Sequence, residues 1–165
     1  MNIYQFAMQM EKDGEYLYRR LAGEATIPGL GRIFTMLADE EVKHYKVVER
    51  LAGKEKNPQL ADTAILENVK NVFVGMRQEK EQLFIDSTAA AASYRKACDI
   101  EAVSEKFYRE KAEQSGDANE QRIFSRLARE EANHLRIMEN ILAFVSRPEP
   151  GSWLENAEWH HLDDY

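Results

Sequence analysis

Cysteine is almost missing from the 165 residues: Cys98 stands alone. That excludes an intrachain disulfide and every Cys-x-x-Cys metal knuckle, and it suits a reducing compartment. Glycine and proline are scarce too, eight and four, which leaves little turn material for a strand-rich architecture. Positive charge is in deficit, with 22 Lys and Arg against 29 Asp and Glu for a net charge of -7. The basic residues form no cluster, so a phosphate backbone finds no electrostatic footprint and nucleic acid is not an expected partner. No apolar stretch approaches the length of a membrane span, and the opening Met-Asn-Ile-Tyr-Gln-Phe-Ala has no basic segment leading into an apolar run. The expectation is a soluble cytoplasmic protein with no membrane partner.

What is there favours helices. The chain is 44% hydrophobic and 31% charged, long enough to bury one core without staples, and the expected class is all-α. Sliding the sequence against itself by 90 positions aligns residues 7 to 52 with 97 to 142 without a gap, and fifteen of the forty-six pairs are identical. Chance matching would give about one in fifteen, so the halves read as two copies of one helical hairpin. Apolar residues recur at helical spacing in the first copy, at Ile3, Ala7, Met10, Gly14, Leu17 and Leu21, then at Leu30, Phe34, Leu37, Val48 and Leu51. Ile100, Ser104 and Phe107, and then Phe124, Leu127, Met138, Ile141 and Val145, continue the stripes in the second.

Helices are expected over 2 to 23, 29 to 53, 87 to 114 and 118 to 146, with the Pro and Gly after Thr26 breaking the first pair. Residues 54 to 86 open with a loop to Gln59 and carry a shorter helix around Thr63 to Arg77. This length suits a long crossover between the second and third bundle helices. The expected domain is 1 to 146, followed by a short C-terminal tail, 147 to 165.

The second helix of each copy carries acid and imidazole where its core rhythm calls for apolar side chains. Positions 30, 34, 37, 41, 44, 48 and 51 keep one phase, and two of them are Glu41 and His44. The same phase in the second copy places Glu131 and His134 between Leu127 and Met138. Glu11 lies between Ala7 and Gly14, and Glu101 between Ala97 and Ser104, so four helices bring acid toward the buried side. Four buried carboxylates repel one another and resist leaving water. Two divalent cations would offset the four charges, and neutral imidazoles would complete the ligand sets. Glu and His at i and i+3 share a helical face and can reach one ion. Helical bundles that hold two metal ions use this set: one Glu from each of two helices and Glu-x-x-His from each of the other two.

With Glu11-Lys-Asp-Gly-Glu-Tyr-Leu-Tyr and Glu40-Glu-Val-Lys-His44, repeated as Glu101-Ala-Val-Ser-Glu-Lys-Phe-Tyr and Glu130-Glu-Ala-Asn-His134, the chain resembles the rubrerythrin family of ferritin-like proteins. The resemblance spans residues 1 to about 146, and the tail from Trp153 to Trp159 is similar to that of short rubrerythrin-like proteins. It implies a carboxylate-bridged diiron centre that reacts with peroxide or dioxygen, cycling between diferrous and diferric states and reducing peroxide to water. Glu41 and Glu131 match the motif Glu that bridges the metals. Glu11 and Glu101 match the Glu seven residues before the motif tyrosine, here Tyr18 and Tyr108. The chain departs from full-length rubrerythrins in carrying no rubredoxin module, since one Cys cannot supply an Fe(Cys)4 centre. The implied electrons therefore come from a separate donor protein.

Other residues are weighed beside these. Glu15 and Glu105 fit three roles: additional ligands, acceptors for the His N–H groups, or ion-pair partners of Arg19 and Arg109. Tyr18 and Tyr108 are expected to pack with a hydroxyl on a ligand carboxylate, a radical or relay role being the alternative. Glu40 and Glu130, one position before the ligands, turn about 100° away and are expected to be solvated. His160 and His161 are read as surface residues, Trp153 and Trp159 as covering apolar surface, and Cys98 as packing.

Four functions stay open. They are a diiron oxidoreductase reducing hydrogen peroxide, a ferroxidase that handles iron, a dimanganese catalase-like enzyme, and a structural bundle whose metals only offset core charge. Manganese and zinc are accepted by the same ligand types as iron. A homodimer is expected.

Overall fold

The computed structural model describes residues 1–78 and 87–146. The tail at 147–165, with Trp153, Trp159, His160 and His161, and the stretch 79–86 of the crossover lie outside them. The described residues form five helices and no strand: α1 (Ile3–Glu24), α2 (Pro28–Ala52), α3 (Ile65–Gln78), α4 (Ser87–Gln114) and α5 (Ala118–Val145). Helices α1, α2, α4 and α5 make the bundle, and α3 is the crossover helix.

Local chemistry sets the ends. Asn2 caps α1 through a reciprocal pair with Gln5, Pro28 opens α2, and Asp117 accepts from the Glu120 amide to cap α5. Each hairpin, α1 with α2 and α4 with α5, meshes along its length, whereas the hairpins meet each other more sparingly. Crossover helix α3 lies against the start of α2, where a Cβ on Gly29 would fall 2.6 Å from the Met76 side chain. Glycine is what allows that approach.

Two apolar cores form at opposite ends of the bundle. One gathers Leu17, Leu21, Phe34, Phe73, Ile137 and Phe144, and the other Ala7, Val47, Tyr108, Ile123, Phe124 and Leu127. The repeat is visible in the packing beyond the aligned segment, since Tyr4 stacks on Phe124 and Tyr94 packs on Phe34. In α2 and α5 the buried row runs as the sequence phase predicts, interrupted by Glu41, His44, Glu131 and His134, except that Leu51 at the end of α2 is only half-buried.

In α1 the buried row is Ala7, Glu11, Gly14, Tyr18 and Leu21, and in α4 it is Ala97, Glu101, Ser104 and Tyr108. Ile3, expected in the core, is exposed, and Met10, Ile100 and Phe107 are half-buried on the outer α1/α4 side. The correction has a simple cause. A hydrophobicity pattern steps around a polar residue, but here the core row passes through Glu11 and Glu101 themselves.

Candidate metal centre

The belt between the two cores is polar. Glu11, Glu41, Glu101 and Glu131 come from four different helices, His44 and His134 from α2 and α5, and none is more than 4% exposed. The two imidazoles lie nearly parallel, 9° apart in plane with ring centroids at 5.3 Å. Each turns its Nδ1 toward carboxylates. His44 Nδ1 is 3.2 Å from Glu131 Oε1 and 3.5 Å from Glu11 Oε2. His134 Nδ1 is 3.0 Å from Glu41 Oε1, 3.3 Å from Glu131 Oε2 and 3.6 Å from Glu101 Oε1.

Two sets of four donors fall within ion-binding reach. In one, Glu11, Glu41, His44 and Glu131 offer atoms within 4.8 Å of each other; in the other, Glu41, Glu101, Glu131 and His134 do. Glu41 and Glu131 belong to both. The tyrosines cross between hairpins: Tyr18 on α1 donates to Glu101 Oε1 on α4, and Tyr108 on α4 donates to Glu11 Oε1 on α1. Burial first, and then the neighbouring carboxylates, push both phenols well above their ordinary range, so they remain donors.

The electrostatics of the belt call for cations. Burial, then the charges of Glu131, Glu11 and Glu101, raise the Glu41 carboxyl well above its ordinary value. Burial and then Glu131 raise Glu101 to about 8. Burial alone would lower both imidazoles, but the facing carboxylates outweigh it and hold His44 and His134 well above the ordinary histidine range. Burial would likewise raise Glu131, but His44 and His134 draw it well below the usual carboxylate range. Protons thus fill the role of missing positive charge. Even so, Glu11 Oε2 and Glu131 Oε2 are buried with no hydrogen-bond donor. Buried carboxylate oxygens left over beside imidazole nitrogens fit a divalent metal pair, which accepts oxygen and nitrogen ligands together. The donor set suits iron, manganese or zinc.

Gly14 leaves the room that Glu41 needs. A Cβ there would fall 2.8 Å from Glu41 Oε2, so the carboxylate would have to shift. Gly14→Ala is expected to keep the metal-free protein folded, because alanine favours a helix by about 1 kcal/mol. Its metal uptake is expected to weaken as Glu41 is displaced. A metal titration beside a thermal melt checks both, and an unchanged affinity would contradict the crowding argument.

Glu15 and Glu105 stand outside these donor sets. They pair with Arg19 at 3.3 Å and Arg109 at 2.8 Å at the bundle surface. Glu40 and Glu130 correct the sequence reading: they are buried, 6% and 5% exposed, not solvated. Glu130 Oε1 lies 3.6 Å from His44 Nε2, and Glu40 lies within 4.8 Å of nitrogens of both imidazoles. A carboxylate behind a ligand imidazole is how metal sites orient the ring. Glu40/Glu130 is among the identical pairs of the repeat, but so are the surface pairs Glu15/Glu105 and Arg19/Arg109, so identity alone did not mark it as buried. Cys98 is half-buried, and burial first, then Glu139, lifts its thiol to about 11, which makes it unreactive.

Among the described residues no helix is long and apolar enough to cross a membrane. Against curated proteins and solved structures the chain finds no match. The Rubrerythrin family model matches residues 2–142, most of the chain and all ten residues of the belt and its tyrosines and backing carboxylates. With that match over this geometry, the protein belongs to the rubrerythrin family.

Proposed function

We propose that the protein is a diiron peroxidase, reducing hydrogen peroxide to two waters with two protons and two electrons from a separate donor protein. The observation that carries the reading is the buried belt in which two donor sets share Glu41 and Glu131. In this reading Glu11 and His44 complete one ion's ligands, and Glu101 and His134 complete the other's. Bound there, the iron pair supplies Lewis acidity and a two-electron reservoir.

The chain's own residues do the rest. Tyr108 ties down Glu11 Oε1 and leaves Oε2 for an ion, and Tyr18 orients Glu101 from the opposite hairpin. The two apolar cores exclude water above and below the belt, which strengthens every electrostatic interaction inside it. Burial also limits the oxidant to a small molecule, in keeping with peroxide.

The test is rapid mixing of diferrous protein with hydrogen peroxide and, separately, with dioxygen. Oxidation by peroxide is expected to be faster by at least about tenfold, or ~1.4 kcal/mol of barrier. Equal rates, or no oxidation by peroxide, would overturn the reading.

A further inference from the structure

The two hairpins repeat the ligands but not what stands behind them. Behind His44, Nε2 faces Glu130 Oε1 at 3.6 Å, and Glu130 Oε2 faces Arg126 Nε at 3.3 Å. Arg126 is mostly buried and reaches onward: Nη1 donates to the Leu60 carbonyl at 2.5 Å, and Nη2 to the Ala61 carbonyl at 2.6 Å. Nη2 also meets Asp62 at 3.2 Å. One guanidinium therefore joins the segment before α3 to the carboxylate behind one imidazole.

The other hairpin lacks this strap. Ninety positions earlier stands Met36, which has no charge to offer. Glu40 is met instead by Lys43 at 3.0 Å, and Lys43 is 48% exposed. An exposed ammonium holds its partner weakly, whereas the planar guanidinium fork of Arg126 is held at three further oxygens.

We propose that Arg126 is a positioning residue that makes the two metal positions unequal, giving the ion on His44 the tighter site. The proposal rests on the dimetal reading above. At 3.6 Å Glu130 faces His44 Nε2 without hydrogen-bonding to it; in this proposal it closes on Nε2 when an ion binds, orienting the ring and making Nδ1 the stronger donor. Glu130 can hold that place because Arg126 offsets its burial. His134 has the looser support, so its ion binds second and leaves first.

Anaerobic titration with cobalt(II), followed by its ligand-field absorption, separates the possibilities. Wild-type protein is expected to take up two ions with constants at least about tenfold apart. Arg126→Met, which copies the residue of the other hairpin, is expected to weaken the tighter constant by roughly 10- to 100-fold, the size of such outer contacts. The weaker constant should stay put, so the two steps merge. Lys43→Met should move neither constant.

Where Arg126→Met melts too low to titrate, Glu130→Gln tests the same link, shifting the same constant in the same direction. Unchanged constants in the titratable variant would overturn the proposal, as would equal weakening of both, which marks a general loosening. Two equal sites in wild-type protein would overturn it as well. Absence of cobalt uptake by wild-type protein would overturn the dimetal reading and the proposal with it.

Discussion

Glu41→Gln and Glu131→Gln are each expected to strip the protein of both metal ions, yet to affect the metal-free protein very unequally. Both carboxylates belong to both donor sets, so neither ion keeps its ligands when one becomes an amide. Affinity should fall at both positions by more than the roughly 100-fold that outer contacts cost. Glu11→Gln or Glu101→Gln touches one set only and should leave about one ion per chain.

The metal-free protein separates the shared pair. Burial and three neighbouring carboxylates raise the Glu41 carboxyl and favour its neutral form, so a neutral amide of the same shape costs little there. Glu131 is held ionised between two imidazoles, and removing its charge leaves them without a counter-ion. Breaking such a buried pair costs about 3–5 kcal/mol. Elemental analysis gives the ion count, and denaturant melts of chelated protein give the stabilities. Two ions retained by either shared-site variant would overturn the ligand assignment.

Metal removal is expected to destabilise the protein more as pH rises. Glu101 is raised from 4.5 to about 8. Its contribution to the metal-free fold is full below 4.5 and is lost as pH climbs through 8. Glu41, His44 and His134 are raised too and act in the same direction, each losing its contribution above its own raised value. Glu131 is lowered, so its contribution is lost only as pH falls below the ordinary carboxylate range.

The metal-free protein should therefore be most stable in mild acid and weaken toward pH 8. Loading ions displaces those protons, so affinity grows over the same range. At free metal a thousand times the dissociation constant each ion adds about 4 kcal/mol, and two would lift the midpoint by roughly 15–30 °C for a domain of this size. Melts of chelated and reloaded protein at pH 5.5 and 8 read the difference. A gain that shrinks with rising pH would contradict the argument.

Much of this centre is legible in the sequence, for reasons that differ by helix. In α2 and α5 the apolar rhythm brackets Glu41, His44, Glu131 and His134 so closely that their burial follows from phase alone. In α1 and α4 the rhythm led to Met10, Ile100 and Phe107, while the buried row ran through Glu11, Glu101 and the tyrosines. There the rhythm slid one position past each carboxylate, and the repeat, which pairs Glu11 with Glu101, marked them instead.

Glu40 and Glu130 were misjudged from the rotation of a single helix. A bundle helix is buried against neighbours on more than one side, and its covered arc takes in the position beside the ligand. Arg126 was only half in reach: its pairing with Glu130 is an i, i+4 contact on one helix, but its carbonyl partners lie 65 and 66 residues away in sequence. No local pattern records a contact of that separation.

The division into two closely meshed hairpins bears on how the chain is made. Translation delivers α1 and α2 first, and contacts between residues near in sequence let that hairpin form early. By residue 53 the nascent chain already carries Glu11, Glu41 and His44, half of the belt, with nothing opposite. The other half arrives only when His134 has left the ribosome, some 80 residues later. For that interval the first hairpin presents an acidic, imidazole-bearing face to the cell, and protons or free cations are its only company. The four-carboxylate belt is then the last part of the fold to be completed, closed as the second hairpin docks on the first.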